Sequence, residues 1–163
     1  MSQVPSPVPS VRLAVFPDLA AVKAAVGQEV AVSEWLDIEQ SRVGLFADAT
    51  GDHQWIHVDP QRAAAESPFG GTVAHGFLTL SLLAKFGMDC IRIDGVRMGI
   101  NYGLNRVRFP APVRVGSRVR GRFTLTSVED IAGGVQVQWE ATVDIEGQDK
   151  PACVAEMLAR WYA

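Results

Sequence analysis

The spacing of hydrophobic positions changes character near residue 91. Upstream of it, apolar residues fall at helix-like intervals between polar ones. Downstream they alternate by two, as on a strand with one buried face. FPDLAAVKAAVG (16–27) is Ala-rich, ends in Gly and predicts a helix. QEVAVSEWLDI (28–38) carries β-branched residues and reads as a strand or extended link. Asp37 followed by Gln40 fits a helix N-cap with its capping box. A helix is expected over 38–51, with Ile38, Val43, Leu45 and Phe46 on its buried side and Gly51 as its stop. Asp59 and Pro60 open a second short helix over 59–67, since proline suits a first turn whose N–H groups have no partner. SPFGG (67–71) is a turn. HGFLTLSLLAKFGMDC (75–90) is apolar on nearly every face, which predicts a helix enclosed by other structure. It is too short to span a bilayer.

The second half predicts strands in MGINYGLNRVRFPAPV, SRVRGRFTLTSVED, GGVQVQWEATVDIEGQ and PACVAEMLARWYA. Alternation is clear in Val119, Gly121, Phe123 and Leu125, and again in Val135, Val137 and Trp139. Gly133-Gly134 and Glu146-Gly147 mark hairpin turns. One enclosed helix with an antiparallel sheet gives an α+β layer fold. A chain of 163 residues suits one domain, expected over 16–163. The Pro- and Ser-rich residues 1–15 form a disordered or extended tail without the basic and apolar blocks of a signal peptide. Net charge is −3, which argues against a nucleic-acid partner. No apolar run reaches membrane-spanning length, so no membrane partner is expected. Cys90 and Cys153 have no CxxC spacing and read as reduced core thiols of a cytoplasmic protein, with a disulfide as the alternative.

ATGDHQWIHVDPQRAA (49–64) is where chemistry concentrates. It holds two of the three histidines, His53 and His57, between Asp52 and Asp59. Three readings are open: a metal site, an acid/base pair, or a capped turn in which Asp52 bonds the backbone. His53 and His57 are four apart, as in a helical zinc pair, and His75 is available as a third ligand. The central Glu of such a pair is missing, and Gly51 and Pro60 bracket the segment too tightly for a long helix. No metal is expected. His53 is assigned to the rim, and Trp55 and Ile56 to the core or a dimer seam.

This segment, followed by FGGTVAHGFLTLSLL, resembles the MaoC-like dehydratases, the (R)-specific enoyl-CoA hydratases, and within them the branch related to nodulation protein N. The likeness is carried by Gly51-Asp52, Gln54, His57, Asp59-Pro60, Ala63 to Ala65 and His75-Gly76, and by the later NYGLNRVRFPAPVRVGSRV. It implies a hot-dog fold, in which a long helix is wrapped by a curved antiparallel sheet, and a homodimer. It implies hydration of a trans-2-enoyl thioester, or the reverse dehydration, on coenzyme A or an acyl-carrier protein. Coenzyme A is then part of the substrate and no separate cofactor is needed. Asp52 and His57 become the catalytic pair holding one water, and the Gly76 N–H at a helix start receives the charge on the thioester oxygen. Gln54, His75 and Ser81 are secondary candidates. Gln54 is weighed between a bond to His57 or the water and plain solvent exposure, His75 is read as structural through a bond to backbone near the site, and Ser81 is weighed between facing the pocket and core packing. Gln54 stands where many hydratases carry Asn, and Trp55 where Pro is common, which affects pocket shape. The arginines at 97, 106, 108, 114, 118, 120 and 122 either meet coenzyme A phosphates or simply occupy the wet side of a sheet. A hot-dog thioesterase and a non-catalytic acyl-thioester binder or structural subunit are the alternatives.

Overall fold

The structure is a computed structural model, and it describes residues 10–163. The tail assigned to residues 1–15 therefore lies mostly outside the described residues. Its last part is extended: Arg12 bridges Val32, and Ala14–Phe16 forms strand β1. Helix α1 follows at Leu19–Ala24, shorter than the expected 16–27. Phe16 is spent on β1, and the Asp18 side chain accepts the Ala21 N–H to start the helix. Strands β2 (Glu29–Val32) and β3 (Leu36–Asp37) come next, then α2 (Gln40–Thr50), α3 (Trp55–Val58), α4 (Pro60–Glu66) and α5 (Gly76–Cys90). Strands β4 (Ile91–Ile93), β5 (Met98–Arg108), β6 (Arg118–Ile131), β7 (Gly134–Ile145) and β8 (Cys153–Tyr162) complete the chain. No helix among the described residues is long and apolar enough to cross a membrane.

The main sheet has the order β2-β6-β7-β8-β5, every pairing antiparallel, with β3 also on β6. Its inner face is written into β7, where Val135, Val137, Trp139, Ala141, Val143 and Ile145 are all buried at a spacing of two. Helix α5 crosses that face with Leu78, Leu82, Leu83, Phe86 and Cys90 buried against it. The approach is closest at Gly121 on β6, where an added Cβ would stand 2.7 Å from Phe86 Cβ. Gly121→Ala is therefore expected to lower stability by about 1–3 kcal/mol through overpacking, read as a lower midpoint in urea. An unchanged midpoint would mean that the helix can shift freely on the sheet.

Several expectations are corrected. Asp37 is not the cap of α2: its strand pairs with Arg118 and Val119 of β6, and the Ile38 N–H goes to Ser117 O. The helix starts two residues later, with Glu39 at the cap position and no side-chain cap bond. Strand pairing outcompeted a local capping box. Ile38 and Val43 are buried, but Leu45 is 70% exposed. The one-turn helix α3 was not expected, being too short for a periodic signal. Helix α5 is buried along one side only within a single chain, with Phe77 and Met88 70% and 78% exposed. Nearly the whole of β5 is exposed as well.

Candidate active site

Gly51 ends α2 in the left-handed region (φ 79°), its N–H reaching Ala47 O. Glycine adopts this turn without strain, and the chain reverses there. Asp52 and Gln54 then lead into α3, whose first turn is closed by the His57 N–H on Gln54 O at 2.9 Å. His57 is buried, and its ring faces the segment that precedes α5. There Val73 makes two contacts with α3: its N–H donates to Ile56 O at 3.0 Å, and its carbonyl accepts from His57 Nδ1 at 2.7 Å. Gln40 at the head of α2 donates to His57 O at 2.7 Å and accepts from Thr72 Oγ1 at 2.6 Å. The histidine is thus held from its own turn, from α2 and from the segment before α5.

His75 adjoins both members of the expected pair. Its ring stacks on His57 with centroids 3.8 Å apart and planes 24° from parallel. Its Nε2 lies 2.9 Å from the Asp52 backbone oxygen and 4.0 Å from Oδ2 of the same residue. Ligand-capable atoms of Asp52, His57 and His75 all fall within 4.8 Å of one another.

Hydrogen bonding settles the protons. A nitrogen facing a carbonyl oxygen must carry hydrogen. His57 is therefore protonated at Nδ1, which leaves Nε2 with its lone pair. His75 is protonated at Nε2. Each ring thus commits one N–H to a backbone carbonyl and keeps one lone pair, His57 at Nε2 and His75 at Nδ1. Burial holds His57 below its ordinary value of 6.5, and the neighbouring His75 acts the same way. The Val73 carbonyl and Asp52 pull in the other direction, more weakly than burial. The neutral, lone-pair form thus persists below 6.5. If His57 is the base, the acid limb of the kcat/KM profile lies below that value. A limb at or above it, measured from pH 4 to 8 in stable buffers, would count against His57. The same shift makes stability pH-dependent. The unfolded chain takes up the proton first as pH falls through the ordinary value, so acidification from there toward the folded value destabilises the protein.

The other expected residues are placed as follows. Asp52 is half exposed and uses Oδ1 to accept the Gln54 N–H at 3.3 Å, so the turn-cap reading describes one of its two oxygens. Gln54 is exposed and is joined to Asp52 and His57 through its backbone. Gly76 opens α5 directly after His75, and an added Cβ there would stand 3.2 Å from the Phe109 ring. A side chain there would press on the half-exposed Phe109 ring, and its absence leaves the helix start open to a close-approaching ligand. Ser81 is not packed in the core. It is exposed, donates to Phe77 O at 2.7 Å, and lines a 310 Å³ cavity with Leu80, Ala84, Leu104 and Met157, apart from the Asp52 cluster. His53 pairs with Asp48 at 2.9 Å on the surface and is raised by that bond. Trp55 and Ile56 are half-buried, Trp55 beneath the Arg62 guanidinium. Arg118, Arg120 and Arg122 lie within 4 Å of Asp37, Asp144, Glu146 or Glu29, and Arg120 is buried under Trp35 rather than facing solvent. Residue reading missed Gln40, which it assigned to a capping box. It also missed the Val73 carbonyl, a backbone group with no sequence signature.

A family model described as MaoC like domain matches residues 21–146. The chain is 56% identical over 149 residues to 3-hydroxyacyl-thioester dehydratase Z of Mycobacterium tuberculosis, covering 91% of this chain and 98% of that protein. It is 54% identical over 144 residues to nodulation protein N of Rhizobium leguminosarum bv. viciae, covering 86% and 88%. An R-hydratase structure from Pseudomonas aeruginosa, unliganded, superposes with a TM-score of 0.66 at 23% identity over 84% of this chain and 81% of that one, a likeness of fold. On the family match, the two close relatives and the helix-on-sheet architecture, this chain belongs to the MaoC-like dehydratase family and has its hot-dog fold.

Proposed function

We propose that the protein interconverts trans-2-enoyl thioesters and (R)-3-hydroxyacyl thioesters by adding or removing water. The observation that carries this reading is the Asp52–His57 arrangement: a carboxylate oxygen and an imidazole ring nitrogen within 4.8 Å, on a ring whose Nδ1 is committed to the Val73 carbonyl. Two hydrogen bonds from one water span about 4.5 Å, so a single molecule can bridge them. In the hydration direction His57 Nε2 takes one hydrogen of that water while Asp52 accepts the other as a hydrogen bond. The water oxygen bonds to C3, and the C2–C3 π electrons move toward the thioester carbonyl. The Gly76 N–H, at the positive end of α5, stabilises the negative oxygen. The protonated His57 then delivers its hydrogen to C2, and both hydrogens and the oxygen of water are accounted for. Dehydration retraces the path. The reaction needs no cofactor beyond the coenzyme A or carrier arm that the substrate brings.

The test is the loss of enoyl absorbance on mixing the protein with crotonyl-CoA and longer 2-enoyl-CoAs, with chiral analysis of the 3-hydroxyacyl product. An (R) product supports the reading. Free thiol release without hydration would make it a thioesterase, and inertness on every chain length would end the enzyme reading. The working unit is a homodimer joined at β5. This edge strand of 11 residues leaves Met98, Ile100, Tyr102 and Leu104 between 41% and 52% exposed, and an uncovered apolar edge invites a second copy. Light scattering should give twice the 17.6 kDa chain mass; the single mass would contradict it.

A further inference from the structure

His75 sits at the cap position of α5 yet makes no side-chain bond to its own helix. A side chain chosen to start a helix would turn back on that helix's free N–H groups. His75 points its Nε2–H at Asp52 O, 23 residues away in sequence. Its ring lies between Phe46, at 5.0 Å, and His57, at 3.8 Å. The residue is 3% exposed, and its Nδ1 is buried with no hydrogen-bond partner among the described residues. A buried nitrogen without a partner lowers stability, and phenylalanine would fill the same slot without one. What histidine alone supplies there is a flat face for His57 combined with an N–H for the Asp52 backbone. Asp52 needs such a tether: it follows the glycine turn, is half exposed, and its own side-chain bond is a long 3.3 Å.

We propose that His75 is a positioning residue that sets the distance between Asp52 and His57, stacking on the ring of one and holding the backbone of the other. The inference rests on reading those two as the acid/base pair. His75 takes no proton from substrate and gives none. It fixes the gap that the water must bridge, and displacements of about 1 Å at such a gap cost on the order of 10²-fold in rate.

Two variants separate the handles. His75→Phe keeps the ring face and removes the N–H, and His75→Gln keeps an N–H and removes the face. Each is expected to lower kcat on crotonyl-CoA by about 10- to 100-fold with KM changed by less than about threefold. With only three histidines in the chain, long-range ¹H–¹⁵N spectra resolve each ring. Wild type should show His57 protonated at Nδ1 and His75 at Nε2. Burial and His75 hold His57 down while Val73 and Asp52 raise it, so removing His75 in either variant should move its titration and the acid limb of kcat/KM up toward the ordinary value. Wild-type kcat in either folded variant would overturn the proposal. So would a fall in kcat that merely follows a lower melting temperature while the His57 titration stays put. If Asp52→Asn and His57→Gln are inactive while His75→Phe is not, this inference alone fails. If those two variants stay active, the acid/base reading itself is lost.

Discussion

Asp52→Asn should slow hydration of crotonyl-CoA by about 10²–10⁴-fold without unfolding the protein. The size of the effect follows from what the carboxylate does. In the proposed reaction it accepts a hydrogen of the attacking water and faces the imidazolium that forms on His57, and an amide does both less well. Stability should survive because the Asp52 side chain is half exposed and makes only the long bond to the Gln54 N–H. The His75 contact goes to the backbone oxygen, which the substitution leaves in place. The melting temperature should therefore stay within a degree or two, as for other exposed substitutions, and KM should change little because the lost interaction belongs to the transition state. A large rise in KM at constant kcat would instead give Asp52 a binding role.

His57→Gln should cost at least as much in kcat, since the group proposed to carry the proton is gone. Here stability will also fall. The side chain is buried and its loss strands the Val73 carbonyl, at about 1–3 kcal/mol for an unpaired buried acceptor. The backbone clamps of His57, from Gln40 and to Gln54, do not depend on the ring and should keep the turn in place. Assays at 15 °C on protein shown to be folded by circular dichroism separate the two effects. The double variant Asp52→Asn/His57→Gln is the sharper result. Two groups acting on one water fail together, so the double should be hardly slower than the worse single. Multiplied losses would mean that the two act at separate steps.

The sheet and central helix were legible because their signals are long. The alternation through β6 and β7 and the apolar run of α5 extend over ten residues or more, and burial enforces them. Local signals fared worse where a tertiary contact competed. Asp37 has every mark of a cap but is drawn into β3 by pairing with Arg118. Phe16 reads as helical but is drawn into β1 beside Ile93. Helix α5 reads as enclosed because apolarity records what a surface needs covered, not which chain covers it. At the site, Asp52 and His57 were singled out by type and spacing, and the structure brings them near each other and His75. The protonation state of His57 was out of reach, because it depends on the Val73 carbonyl, 16 residues away. Gln40 was visible but misassigned: its bonds run to His57 and Thr72 rather than to its own helix.

The proposed water shared by Asp52 and His57 is tested most directly by a crystal structure of the Asp52→Asn variant with (R)-3-hydroxybutyryl-CoA bound. The C3 hydroxyl of the ligand marks where the water stood. It should lie within hydrogen-bond distance of both residue 52 and His57 Nε2, with the thioester oxygen on the Gly76 N–H. A hydroxyl remote from His57, or a thioester turned away from the head of α5, would contradict the shared-water mechanism.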